Sequence, residues 1–303
     1  AEISISSKRE HINEMALVST RTFDVQETER YAGSRGDPAR MASNFAGAQG
    51  GDDSRNDIVV RGNSPQGILW RMDGVDIPNP SHFSIPGTTG GPVSMLNNKM
   101  LANSDFFMGA FPAEYGDAVA GVFDVRLRNG NNKKYEYTAQ LGLLGTEASA
   151  EGPLSRKSGS SFLVNYRYST LQLFQGLNIK IGTTSVPQYQ DASFRLHFPM
   201  GKKGELSFFG LGGTSRIDLI VSKLTTPESQ LYGESDRDQY FTSKTGLVGG
   251  TYTRNIDKNT YTKLTIAQTG GNVWAQHDKV FRSATFAVDS MKNVLGYDFT
   301  TLS

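Results

Sequence analysis

NDIVVRG (56–62), GILWRMDGVDI (67–77) and DFFMGAFPAEYGDAVAGVFDVRLRNG (105–130) decide the fold. Each is rich in β-branched and aromatic residues, the composition of a strand on a half-buried surface. Each is also broken by residues that turn the chain: Arg61-Gly62, Asp73-Gly74, Tyr115-Gly116 and Gly121. Asp-Gly followed by VDIPNP reads as a strand end and turn. PNPSHFSIPGTTGGP (78–92) is a long Pro/Gly-rich loop, and VSMLNNKMLANS (93–104) reads as a short amphipathic helix. Upstream, Asp24 with Glu27 three residues on and Gly33 as the stop has the form of a capped helix. Asp37-Pro38 before ARMASNF marks a second helix start, with proline at the first helical position. GAQGGDDSRND (47–57) is a loop. Residues 1–130 therefore read as a small mixed α/β domain ending near Gly130.

After Gly130 the character changes. Strand-like runs fall at 134–143, 145–152, 160–168, 188–198, 204–215, 240–255, 260–275 and 292–303. SRKSG (155–159), PMGKKG (199–204) and IDKN (256–259) are short, basic connections, whereas 169–187, 216–239 and 276–291 read as long ones. Short turns on one side and long loops on the other are the pattern of an outer-membrane barrel. In SFLVNYRY, Phe162, Val164, Tyr166 and Tyr168 oppose Asn165 and Arg167. In SFRLHF, Phe194, Leu196 and Phe198 oppose Arg195 and His197, and in YTKLTIA, Leu264 and Ile266 oppose Lys263. A period of two sends one set to lipid and the other to the lumen. A charge facing lipid near the midplane costs about 2–4 kcal/mol, so Arg167, Arg195 and Lys263 are expected to point inward. The alternative is a soluble β-sandwich with solvated faces, which has no reason to sort its loops by length.

Composition narrows the classes. The chain has 303 residues, with 31 Lys and Arg against 30 Asp and Glu, 33 Gly, 17 Phe, 12 Tyr and no Cys. No apolar run approaches the roughly 18 residues of a membrane helix, which leaves a barrel open, because barrel strands alternate. A net charge of +1 supplies no field for nucleic acid. Without Cys there is no disulfide, thiolate metal site or Cys nucleophile.

Little here points to catalysis. The four histidines, His11, His82, His197 and His277, form no H-x-x-x-H and none sits near a G-x-S-x-G. GAFPAEYGDAVAG has the glycines of a phosphate loop without the G-K-[ST] step. The chain is expected not to be an enzyme and to need no cofactor. Asp52, Asp53 and Asp57 share one loop, and Glu234, Asp236 and Asp238 another. Such oxygen-rich loops either hold Ca²⁺ or are simply solvated, and the solvated reading is preferred, with no metal expected.

The order RG step, strand ending in DG, helix, then YG turn and final strand recurs over residues 56–130 and resembles the plug domain of TonB-dependent outer-membrane receptors. The wording of DPARMASNFAG, RGNSPQGILWRMDG and GAFPAEYGDAVAGVFDVRLRNG is similar to receptors of the Bacteroidetes type that carry a carboxypeptidase-regulatory-like extension, and departs from the glycan-importing SusC type. The resemblance implies an α+β plug domain (1–130) followed by antiparallel transmembrane β-barrel strands (131–303). About eight strands fall in this chain, and about 22 are expected in a full plugged barrel, so the chain reads as a fragment. It implies a Gram-negative outer-membrane location and import of a scarce solute by TonB-driven movement of the plug, with TonB, ExbB and ExbD as partners. Outer-membrane lipid, lipopolysaccharide and an unidentified small-molecule, peptide or glycan ligand complete the set, and a surface lipoprotein is admissible. A non-transporting plugged barrel, acting as scaffold or adhesin, is the alternative. ISISSKR (3–9) is a candidate for the strand presented to TonB. Arg61, Gly62, Asp73, Gly74, Tyr115, Gly116 and Gly121 are the structural motif. Arg61 either pairs with barrel-wall carboxylates or touches ligand, and the tyrosine and glycines serve backbone turns. Asn63, Gln66, Asn79, His82 and Phe83, on two loops at the plug apex, are the candidate ligand floor; the alternative is an ordinary exposed loop.

Overall fold

The computed structural model describes residues 20–23, 28, 30, 33–34, 36–51, 55–85, 87–142, 145–170, 187–201, 203–224 and 234–303. The 3–9 segment and most of the 24–33 helix candidate lie outside these residues. Among the described residues, nine strands precede Gly130: β1 (Thr20–Phe23), β2 (Ala48–Gly50), β3 (Ile58–Val60), β4 (Ile68–Met72), β5 (Val75–Ile77), β6 (Ser81–His82), β7 (Val93–Ser94), β8 (Ser104–Phe107) and β9 (Gly121–Val125). Helix α1 (Pro38–Ala42) starts where Asp37 and Pro38 predict, with Asp37 Oδ1 accepting from the Ala39 amide at 2.9 Å.

Five strands form one sheet in the order β1-β8-β9-β4-β5, with only β4 and β9 parallel. β9 lies at the centre, and all five of its residues are buried. Phe123 fills the middle of the core, stacked on Trp70 and on Phe106 with ring centroids 4.2 Å apart in each case. Phe23 meets the same ring edge-on. Arg61 and Gly62, and likewise Asp73 and Gly74, have positive φ. That is the pair a type I′ turn requires, and Asp73-Gly74 joins β4 to β5. Gly121 sits in a tight place, since a Cβ there would lie 3.1 Å from the Phe107 carbonyl oxygen. Gly116 is different: a Cβ would meet nothing within 4 Å, so the expected need for a small residue there is not borne out.

The 93–104 segment is not the expected helix. It runs as β7, a 3₁₀ turn over Asn98–Met100, and a bridge from Leu101 to Leu127. Asn97 Oδ1 accepts from the Lys99 amide at 2.9 Å, a local bond that competes with the helical ladder. Met95, Leu96, Asn97, Asn98, Met100 and Leu101 are all buried, leaving no solvent face for an amphipathic helix.

Eight further strands form a second, antiparallel sheet in sequence order: β10 (Glu136–Leu141), β11 (Thr146–Ser155), β12 (Ser160–Tyr168), β13 (Gln188–Pro199), β14 (Gly204–Leu219), β15 (Arg237–Asn255), β16 (Tyr261–Arg282) and β17 (Val288–Leu302). The alternation works as expected. Val164, Tyr166, Phe208, Val248, Leu264 and Ile266 are exposed on the outer face. Register aligns Phe162, Leu196, Phe208, Gly250 and Ile266 in one outward row. On the inner face Leu163, Asn165, Asp191, Ser193, Phe209 and Leu247 are buried against the first domain. The 276–291 connection is much shorter than expected. β16 and β17 pair up to Arg282 and Val288, because the polar run His277-Asp278-Lys279 continues the ladder instead of leaving it. β16 is 22 residues long, about twice the length of a strand that crosses a bilayer.

Phe123→Ala should destabilise the first domain by about 3–5 kcal/mol, the usual cost of emptying a buried aromatic site. Urea unfolding followed by Trp70 fluorescence in a Trp274→Phe background measures it. A loss under about 1 kcal/mol would contradict the placement of this ring at the centre of the core.

Candidate functional site

The candidate site lies where the 78–99 segment of the first domain meets the inner face of β11–β14. The segment is folded back on itself by buried polar contacts. Asn79 Nδ2 donates to the Thr88 and Gly90 carbonyls at 3.0 and 3.1 Å, and Trp70 Nε1 donates to the Thr89 carbonyl at 2.9 Å. The Gly91 amide donates to Asn56 Oδ1 at 2.7 Å. Gly91 has to be glycine, since a Cβ would lie 2.4 Å from the His82 carbonyl oxygen. These contacts push the short β6–β7 hairpin against the wall.

At its tip His82 is fully buried, and Nε2 stands 2.8 Å from Asp191 Oδ2. Arg167 Nε donates to the same oxygen at 2.9 Å, and Arg167 also donates to the Ser94 carbonyl. Tyr189 packs on the imidazole with centroids 4.7 Å apart. Gly213 leaves room for the ring, because a Cβ there would sit 2.8 Å from His82 Cε1. The Phe83 amide donates to Ser215 Oγ at 2.9 Å. With Asp191 accepting, the proton sits on Nε2, and Nδ1 has no hydrogen-bond partner among the described residues. Burial holds the His82 pKa below its ordinary 6.5, although the Asp191 contact pulls the other way.

Three further groups of polar contacts tie the first domain to the wall. Lys99 Nζ and Asn97 Nδ2 donate to Glu147 at 2.6 and 2.8 Å. Arg128 forms a bidentate pair with Glu151 at 2.7 and 2.6 Å. Arg195 meets Asp73 at 3.0 Å and Asn129 at 2.7 Å. Burial raises the Asp73 pKa above the ordinary carboxylate value, and Arg195 offsets part of that rise. A cavity of about 740 Å³ opens between the 94–99 segment and β10–β13, with Asn97, Lys99, Gln140, Glu147, Arg167 and Tyr189 on its walls.

The five apex residues divide into two groups. Asn63 and Gln66 are exposed, and the two loops do meet: Thr89 Oγ1 donates to the Pro65 carbonyl at 2.6 Å, and Gln66 lies beside Gly87. Phe83 is half-buried with φ of 54°. Asn79 and His82 are not in an exposed loop. Their polar atoms are turned inward, Asn79 to its own loop and His82 to the wall. Tyr115 donates through its hydroxyl to Asp124 at 2.9 Å, under Arg71 at 4.8 Å from the ring centroid. Arg61 lies over Gly47 and Gly109, and the wall carboxylates Glu147, Glu151 and Asp191 are met by Lys99, Arg128 and His82. Asp236 pairs with Arg237 and Lys279, and Asp238 accepts from Ser222, so these two carboxylates are taken up by protein partners. Asp57 pairs with Arg55, while Asp52 and Asp53 lie outside the described residues. Asp191, Glu147 and Lys99 belong to no motif. The one available signal is that Asp191 shares the inward period of Arg195, four residues on.

Residues 14–122 match the family described as TonB-dependent Receptor Plug Domain. No curated protein matches the chain. Among solved structures, the outer membrane transporter YddB from Escherichia coli is similar at 10% identity with a TM-score of 0.52, covering 94% of this chain and 53% of that one. The siderophore receptor PirA from Acinetobacter baumannii gives 14% identity and a TM-score of 0.49, covering 88% and 46%. A ferric enterobactin receptor mutant (PfeA) from Pseudomonas aeruginosa gives 14% and 0.45, covering 89% and 47%. The chain thus spans about half the length of these structures, and the YddB likeness concerns fold alone.

The sign of the His82 shift sets a pH dependence. The folded pKa is lower than the unfolded one, so the undocked state takes up a proton first. Docking strength is complete above pH 6.5 and falls as pH drops below it, by at most about 1.4 kcal/mol per unit for one proton. Exchange protection of the Phe83 amide, corrected for intrinsic rate, should fall between pH 7.5 and pH 5.5. A His82→Gln variant should show a flat profile over the same range. Equal slopes in the two proteins would remove His82 as the titrating group.

Proposed function

We propose that this chain, which carries the plug domain of a TonB-dependent receptor at the head of a transmembrane β-barrel wall, serves energy-coupled uptake of a scarce solute across the outer membrane of a Gram-negative bacterium. The observation that carries the reading is the docking of the plug on the inner, charge-bearing face of a sheet whose outer face is apolar. A plug held there blocks the lumen, so solute passes only when something moves it. TonB, energised by ExbB and ExbD, supplies that pull, and lipid and lipopolysaccharide cover the outer face. The plug ends near Gly130, pressed against the β12 backbone at Phe162, and the wall begins with β10. Asn63, Gln66 and Phe83 offer amides and an aromatic edge to ligand, while Asn79 and His82 hold that surface from behind. A surface lipoprotein would find its place on the protruding ends of β14–β17.

Growth of cells that depend on the receptor for a limiting nutrient should require TonB. Growth that is unchanged without TonB would remove energy coupling from the reading.

The wall also has a direction. The plug ends on the periplasmic side, so β10 rises, and the ends of β14–β17 at Leu219, Arg237, Arg282 and Val288 face outside. A membrane-impermeant thiol label on intact cells should reach Ser235→Cys and miss Lys258→Cys in this Cys-free chain. The reverse pattern would invert the topology.

A further inference from the structure

The two ends of the wall treat their charges differently. At the Leu219, Arg237 and Arg282 end, cations are paired: Arg216 with Asp218, Arg237 with Glu234 and Asp236, and Lys279 with Asp236. At the opposite end, the turns that join β13 to β14 and β15 to β16 bring Lys203 and Arg254 to one place on the outer face. Lys203 Nζ donates to the Ile256 carbonyl at 3.3 Å, and neither cation is ion-paired with a carboxylate among the described residues. Together with Tyr252, Asn255, Ile256 and Thr262 they line a cavity of about 290 Å³. Like charges that share a cavity repel each other, and an anion between them removes that cost. Register sets what surrounds the cavity. Gly204, Arg254 and Thr262 form one outward row across β14, β15 and β16. Gly204 puts no side chain beside the guanidinium, which leaves the cavity open there. The next outward row is Phe198, Leu206, Tyr252 and Leu264, and the one after it holds Phe208 and Ile266. Successive rows lie about 7 Å apart. The cations therefore stand one row from the edge of the apolar face, and Tyr252, apolar in its ring and polar at its hydroxyl, marks the boundary.

We infer that this notch on the outer face of β14–β16 binds the phosphate of an anionic glycerophospholipid. Arg254 and Lys203 take the phosphate, and Thr262 and Tyr252 supply hydroxyls to the headgroup. The acyl chains lie along Leu206, Phe208, Leu264 and Ile266. The inference rests on the reading of the second sheet as a transmembrane wall. A lipid fits better than a free phosphate, because the apolar rows begin where the cations end. One phosphate leaves part of the charge of two cations unmet, so a net negative headgroup such as phosphatidylglycerol is preferred. Phosphatidylethanolamine would bring its own ammonium towards the same two cations.

The whole protein, delipidated in a zwitterionic detergent and given equal amounts of phosphatidylglycerol and phosphatidylethanolamine, tests this by native mass spectrometry. Wild type should retain phosphatidylglycerol in preference. Lys203→Gln/Arg254→Gln should lower that retention at least about tenfold, since each cation beside an anionic headgroup is worth on the order of fivefold in affinity. Lys203→Arg/Arg254→Lys keeps both charges and should retain the lipid like wild type, which separates lost charge from lost fold. Lys244→Gln removes an exposed cation from the same face of β15, beyond the apolar rows, and should leave retention unchanged. Wild-type retention in the glutamine pair would overturn the inference. So would an equal loss in Lys244→Gln, since binding would then follow overall charge and not the notch. Displacement of the lipid by excess inorganic phosphate would reduce the notch to a bare phosphate site and overturn it as well. Energy coupling is decided by growth without TonB, and the course of the wall by thiol labelling. Failure of either is therefore told apart from failure of lipid retention.

Discussion

A sheet facing lipid on one side must put its charges on the other. In the second sheet Arg167, Arg195, Asp191 and Glu147 all point inward, towards the plug. An uncompensated charge in that buried layer would cost several kcal/mol, so each must be met by a partner of opposite sign or by a hydrogen-bonding group. The plug supplies Lys99, Asp73, His82 and the Ser94 carbonyl at matching positions. The outer face thereby dictates the chemistry of the inner one, and the inner one dictates what the plug presents. Wall and plug are specified together, although neither sequence alone names its partner.

This coupling explains the shape of the plug surface. Among its described residues the 78–99 segment has no long regular element, yet several side chains bond its backbone. Asn79, Asn56 and Trp70 use their side chains to satisfy backbone groups that a helix or sheet would satisfy internally. The result is a rigid, irregular surface that places one imidazole over Gly213. A helix in the same place would present side chains at a fixed 3.6-residue period, which the two-residue period of the wall does not match.

The tyrosine-glycine turn has a related logic. Tyr115 closes the small cluster with Phe107 and Val122, and its hydroxyl donates to Asp124 on the central strand. Burial raises the Asp124 pKa, and the nearby Arg126 offsets part of the rise. The ring of Tyr115 also lies under Arg71. A single side chain therefore links the turn, the central strand and β4. Gly116 beside it meets no neighbour that would require its smallness.

How much of this was legible in the sequence depends on the range of the forces involved. Local rules identified the Asp37-Pro38 helix start and the Asp73-Gly74 turn, because each depends on a few neighbouring residues. The period of two identified the wall strands, their faces and the inward course of Arg167, Arg195 and Lys263, because side chains alternate between the two faces of every strand. The same reading failed at 93–104, where burial on all sides and the Asn97 cap outweighed helical spacing. It failed again at 276–291, where polar residues pair across strands longer than the pattern suggested. Asn63 and Gln66 lie on the surface that their loops suggested, while His82 is drawn inward by Asp191, 109 residues away. The sequence by itself determined which residues could form strands and which face of each strand is the apolar one, since those depend on spacing along the chain. Only the tertiary structure decided which charges meet and where the plug docks on the wall, because those depend on distances between segments that no local pattern encodes.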